Sequence, residues 1–219
     1  MPFFCRAATR LITILAFAVL SGCAWLPLSG TPEPSRLQGL MQLTAEGARL
    51  ETCAGPIYEV RADAALRTLF SQVAPPGQTT VFVDLHATLL TDDSIQPETI
   101  IRMGSTGRGC SDLYRQSSQW LALGEQPAWQ VLIEPLGMQV QMGADTGTQS
   151  AFIAEQLPDS VRSFRTQEGE PVELWIYPQP CFAPLSGDYH ERTARLLYAG
   201  KSLSGCAYRG MLGDDQPPR

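Results

Sequence analysis

His86 and His190 are the two side chains in this 219-residue chain whose ordinary pKa suits a general base near neutral pH. His86 follows Asp84 by two residues in "VDLHA", so two members of a serine-histidine-aspartate set lie close together. The third has no motif, because no Gly-x-Ser-x-Gly nucleophile turn occurs. His190 lies in "SGDYHER", whose glycine and polar residues read as a solvated turn. The adjacent carboxylates Asp92–Asp93 and Asp214–Asp215 fall in polar segments, whereas glycoside hydrolysis needs two carboxyls about 5 to 9.5 Å apart across a cleft. "GSTGRG" lacks the lysine and following helix of a phosphate-cradling loop. These patterns predict a protein that is not an enzyme and uses no cofactor.

Soft-metal chemistry has three thioether candidates, Met103, Met138 and Met142. Met138 and Met142 share strand parity with Val140, which predicts a core stripe rather than a metal cage. No Cys-x-x-Cys pair occurs, so neither a thioredoxin-like site nor a thiolate zinc clip is expected. Trp120, Trp129 and Trp175 are anchors if they face inward and a platform if they face outward. Core packing is the favoured reading, with Trp129 and His86 kept as the candidate ligand surface.

The elements that must position these residues are mostly strands. Residues 39–60 alternate around "ARLETC" and "PIYEV" as two short strands, and "RADAALRTLFSQV" follows as a helix. Asp63 can cap it, and Leu66, Leu69, Phe70 and Val73 fall on one face. "TTVFVDLHATLL" puts Val81, Val83, Leu85, Ala87 and Leu89 on one side and Phe82, Asp84, His86 and Thr88 on the other, a half-buried strand. "ETIIRMG" is the next strand. Further on, "AWQVLIEP" and "LGMQVQMG" form a hairpin, "SAFIAEQL" and "VRSFRTQ" are strands, "PVELWIYPQPC" is a buried strand, and "RTARLLYAGKSLSGCAYRG" closes as a hairpin at Gly200. The fold class is therefore mainly β: a small OB-like barrel with one helix, residues 37–113, then a second small β-barrel or sandwich, residues 114–212. Residues 213–219, "GDDQPPR", are expected to be a disordered tail.

The first residues carry the address. Arg6 and Arg10 precede the apolar run Leu11 to Leu20, then Ser21, Gly22 and Cys23. The run is about half the roughly 20 residues of a membrane-spanning helix, so residues 1–22 read as a secretory signal. "LSGC" resembles the lipobox of bacterial lipoproteins, which implies that the Cys23 thiol is diacylglycerylated and becomes the new N-terminus. Two or three acyl chains, at roughly 0.8 kcal/mol per buried CH2, anchor stably. Position 24 is alanine rather than aspartate, which by the sorting habit of that class favours the outer membrane facing the periplasm. Residues 23–36 form the acylated N-terminus and a Pro-rich tether.

Removing residues 1–22 takes two arginines and no acidic residue, which leaves 14 basic against 22 acidic residues, a formal charge of −8. Nucleic acid is then an unexpected partner. The expected partners are the membrane, through the lipid, and an unknown envelope protein. Cys53, Cys110, Cys181 and Cys206 remain in an oxidising compartment and imply two disulfides with three possible connectivities. Sequence order favours Cys53–Cys110 and Cys181–Cys206.

Two stretches resemble known families. "RLETCAGPIYEVRADAALRTLFSQVAPPGQTTVFVDLHATL" is similar to the OB-fold domain of the NlpE-type copper-resistance and surface-sensing lipoproteins, through Cys53, Tyr58, Val60, Leu69, Pro76, Gly77, the strand Val81 to Leu89 and Cys110. That family's separate barrel with a paired-cysteine copper motif has no counterpart here. "WLALGEQPAWQVLIE" and the region from Pro171 to Gly210 resemble an uncharacterised family of envelope lipoprotein domains, through Ala122, Leu123, Gly124, Pro127, Trp129, Pro178, Pro180, Cys181, Ser186, Gly205, Cys206 and Ala207; Leu185 stands where that family often has methionine. The first resemblance implies a second function class, copper or redox handling in the envelope stress response. A third class is an inhibitor of an envelope-attacking hydrolase such as lysozyme. The favoured expectation is a non-catalytic lipoprotein that binds or senses a protein or envelope component.

Overall fold

The computed structural model describes residues 33–106 and 109–212. The expectations for the signal segment, for Cys23 and most of the tether, and for the tail 213–219 lie outside the described residues. Everything described falls within one compact unit, Pro32–Arg219, built from two antiparallel-rich sheets.

The first sheet closes on itself. β1 (Ser35–Leu43), β2 (Ala48–Thr52) and β3 (Ile57–Val60) pair in sequence; β3 then pairs in parallel with β5 (Ser94–Gly104). β5 pairs with β4 (Thr80–Leu89), and β4 returns to β1. This five-stranded closed order, with a helix between β3 and β4, is the OB-like barrel. The helix, α1 (Ala64–Val73), begins where the Asp63 carboxylate accepts the Leu66 N–H at 2.8 Å. Its Leu66, Phe70 and Val73 join Met41, Leu50, Val83 and Leu85 in the barrel core, with Leu69 packed alongside.

β4 corrects the sequence expectation of a half-buried strand. Val81, Val83, Leu85 and Ala87 face the barrel core as expected, but Phe82 and Asp84 on the other side are buried as well. That outer face is covered by α2 (Leu113–Ser117) and by the end of the final strand, so a polar residue in a period-two pattern lies inside the protein. β5 also starts earlier than "ETIIRMG". Pro97 pairs with Ala87 beside a register shift, where a residue without an N–H is tolerated.

The second sheet contains nine strands. β6 (Trp120–Glu125), β7 (Ala128–Glu134), β8 (Gly137–Met142) and β9 (Asp145–Ser150) follow one another as hairpins. β10 (Phe152–Gln156), β11 (Arg162–Thr166), β12 (Val172–Tyr177), β15 (Arg192–Tyr198) and β16 (Lys201–Arg209) complete it, β16 lying against β6. The sheet curls around a single core, in which Met138 of β8 and Phe164 of β11 both take part. β9 has no counterpart among the expected strands because nearly every residue of it is exposed and no apolar periodicity marks it.

Two short strands cross between the sheets. β13 (Cys181–Phe182) pairs with β14 (Tyr189–His190), and β14 adds to β5 of the barrel through Tyr189↔Met103 and His190↔Arg102. The disulfides are Cys53–Cys110 and Cys181–Cys206. The second joins β13, a strand of the first sheet, to β16 of the second.

Candidate functional site: a buried ion-pair seam and a strand fork

The chain's most concentrated chemistry lies between the sheets. Arg36 on β1 and Asp84 on β4 are diagonal neighbours, because β1 and β4 pair with Gln38↔Asp84 and Arg36↔His86 in register. The Arg36 guanidinium donates Nε to Oδ1 at 2.8 Å and Nη2 to Oδ2 at 2.7 Å, a two-pronged pairing. It also donates to the carbonyls of Arg209 and Gly210, both at 2.7 Å. Gln38 Nε2 donates to Asp84 Oδ2 at 3.0 Å, and Arg115 Nη1 of α2 approaches the same oxygen at 3.7 Å.

A second group adjoins it. Arg102 of β5 meets Asp112 at 3.1 Å and Asp188 at 3.9 Å, and donates to the Tyr208 hydroxyl at 3.2 Å. Its guanidinium stands over the rings of Tyr208 and Phe82, and that of Arg115 also stands over Phe82. Arg36, Arg102 and Arg115 are thus matched by Asp84, Asp112 and Asp188 in a seam almost free of solvent. Burial raises the Asp188 carboxyl above its ordinary value despite Arg102, and it pushes the Tyr208 hydroxyl up to about 12.

His190 lies in this seam and is buried, which corrects the expectation of an exposed turn. The reason is tertiary: β14 is an added strand on the barrel, and the imidazole stacks on Tyr208 with ring centroids 5.2 Å apart. Burial, reinforced by Arg102, drives its pKa down to about 3. Neither ring nitrogen has a hydrogen-bond partner among the described residues. A neutral, sealed imidazole of this kind packs as an aromatic ring.

His86 stands half-buried at the edge of the same barrel face, paired in register with Arg36 and Thr99. Both oxygens of its neighbour Asp84 are taken by Arg36 and Gln38, so that carboxylate serves the seam. Trp129 is buried at 3% exposure and packs in the second core instead of presenting a platform. Its indole crosses two glycines on neighbouring strands: a Cβ on Gly124 would stand 2.1 Å from Nε1, and one on Gly205 2.6 Å from Cζ2. Met138 is buried in that core with Met142 packed against it, whereas Met103 belongs to the barrel core. The three thioethers do not converge. Among the described residues, no three His, Cys, Asp or Glu side chains group as metal ligands.

An accessible feature lies on the opposite face of the second sheet from Trp129. β16 and β6 pair from Arg209↔Trp120 to Cys206↔Leu123, and Gly205 just beyond still lies against the Leu123 carbonyl. β6 continues to Glu125 against β7, and β16 begins at Lys201 against β15, so the two strands form a fork. A cleft of about 350 Å³ fills it, lined by Leu123 to Gln126, Ser202 to Cys206, Ala183 and Pro184. The Glu125 carboxylate accepts the backbone N–H groups of Leu185 and Ser186, which clips the loop after β13 against the cleft. The Cys181–Cys206 bridge fixes that loop's other end. Sequence reasoning named Leu123, Gly124, Gly205 and Cys206 only as marks of a resemblance, since nothing local brings residues 123–126 and 202–206 to one cleft. No family model matches the chain, and no curated protein or solved structure matches it either.

Proposed function

We propose that this chain is a lipid-anchored envelope lipoprotein, attached through Cys23 to the outer membrane and facing the periplasm, whose β body binds a protein or envelope component without transforming it. The observation that carries the reading is the lipobox-like "LSGC" at the end of a short apolar run, followed by a proline-rich stretch and a twice-bridged β body. Disulfides suit a compartment outside the cytosol. The arrangement of charge supports binding over catalysis, since Asp84, Asp112 and Asp188 are committed to arginines and His190 is sealed under Tyr208.

Expression in cells fed radiolabelled palmitate tests the anchor: the wild-type chain becomes labelled and Cys23→Ala does not. Native mass spectrometry of the purified full chain, before and after exposure to copper and zinc, tests the binding reading. Two intact bridges with no retained metal are expected. One tightly retained metal ion, or turnover of an envelope substrate by the pure protein, would overturn it.

A further inference from the structure

We propose that the hairpin of β13 and β14 is an acid-released latch: protonation of His190 frees it from β5, while the Cys181–Cys206 bridge keeps it tied to β16. Neither the lipid anchor nor the nature of any ligand enters into it. His190 is 1% exposed, and both ring nitrogens lack a hydrogen-bond partner among the described residues. A neutral ring tolerates this by stacking on Tyr208 of β16. A charged ring would carry two buried donors with nothing to accept them. It would also face a cation, because His190 pairs in register with Arg102 of β5. The surrounding elements bring no free carboxylate to offset it. Asp188 and Asp112 are both drawn to Arg102, Glu191 is held by Arg209 of β16, and β13 contributes Cys181, which is locked in its bridge.

Little apolar burial holds the hairpin in place. Within residues 181–190 the buried side chains are Ala183, Asp188 and His190, two of them titratable. β14 meets β5 through two residue pairs, extended by the Glu191 N–H donating to the Ile101 carbonyl at 2.9 Å. The Asp188 carboxylate accepts the Ser105 N–H at 3.2 Å, and Glu125 clips Leu185 and Ser186. A short element with few contacts of this kind opens at a lower free energy than a core strand. Opening lets water reach the imidazole, which then takes up a proton at its ordinary pKa of 6.5 instead of the closed form's value of about 3. Below pH 6.5 each pH unit therefore multiplies the open population up to about tenfold. Asp188 works the other way, since burial raises its carboxyl in the closed form and opening would release a proton held there. The latch thus acts downward from pH 6.5 until Asp188 begins to take up its own proton. Opening uncovers Arg102, Asp112 and Tyr208 at the junction of the two sheets.

Native-state amide exchange of the full chain from pH 7 to pH 5 is the test, with rates expressed as protection factors so that the intrinsic pH dependence of exchange drops out. Ser105 and Glu191, whose N–H groups bond across the latch, should lose on the order of twentyfold more protection in the wild type than in His190→Phe. That variant keeps a ring on Tyr208 and cannot be charged. Both chains share Asp188, so its contribution cancels in the comparison. The loss should also be insensitive to low urea, because a local opening exposes little surface. Equal losses in the two chains would overturn the latch, since His190 would then be silent. So would protection at Ser105 and Glu191 that matches Leu174 and Leu196 of the second core and falls with urea as theirs does, since the hairpin would then leave only with global unfolding. His190→Gln, equally unable to take a charge, gives the same comparison where the phenylalanine variant does not fold.

Discussion

Asp84 and His190 show how burial changes what a titratable residue is for. Asp84 is fully buried with two arginines and a glutamine directed at it, so its removal takes from Arg36 its two-pronged carboxylate and from Arg115 one of its two acidic neighbours. Asp84→Ala should cost about 3 to 5 kcal/mol in urea unfolding. The paired replacement Arg36→Met with Asp84→Leu should recover a large part of that, because both charges then leave the interior together. His190 makes a prediction in pH. Its folded pKa of about 3 lies below the ordinary 6.5, so below pH 6.5 the unfolded chain takes up a proton that the folded chain refuses. The group therefore costs nothing above pH 6.5, and stability falls as pH drops from there toward 3, by up to about 1.4 kcal/mol per pH unit. His190→Phe, which keeps the ring stacked on Tyr208, should remove that part of the slope; an unchanged slope in thermal melts from pH 7 to 4 would contradict it.

At the scale of elements, the cross-strand row Gly205, Gly124 and Trp129 shows packing that alternation alone does not reveal. The indole occupies the space that two Cβ atoms would otherwise take, so the two glycines and the tryptophan are one packing unit. Trp129→Ala should cost about 3 to 5 kcal/mol, and Gly124→Ala, whose new methyl would meet the indole at 2.1 Å, about 1 to 3 kcal/mol through overpacking. Combining them should cost less than the sum, since the tryptophan that the new methyl strikes is gone. Urea midpoints of the two single variants and the double variant check this. α1 was readable in sequence for a local reason: Asp63 caps it, and its apolar residues recur at helical spacing. β9 was not, because it is held by pairing with β8 and buries almost nothing.

At the scale of the molecule, three of the devices that join the two sheets among the described residues act over long sequence separations. Arg36 on the first strand reaches the carbonyls of Arg209 and Gly210 near the end of the described chain. β14 inserts a piece of the second half into the first sheet. Cys181–Cys206 then ties β13 to β16. The bridge closes a separation of 25 residues, and replacing both cysteines by alanine should cost about 3 to 4 kcal/mol on the chain-entropy account. Hydrogen exchange in that variant should rise first in β13, β14 and the Leu185–Ser186 loop. A uniform rise across both sheets would mean that the bridge stabilises the chain as a whole instead of this junction.

The sequence by itself determined the mainly β character, the barrel's helix and long strand, and the order that favours each cysteine pairing. These are written in local periods, caps and spacings, which act over a few residues or follow from counting. Only the tertiary structure decided that the outer face of β4 is buried, that His190 is sealed, that Trp129 lies across two glycines, and that β6 and β16 diverge into a cleft. Each depends on which element arrives from tens of residues away. A polar residue reads as exposed until a partner of opposite charge, brought by another strand, makes its burial tolerable.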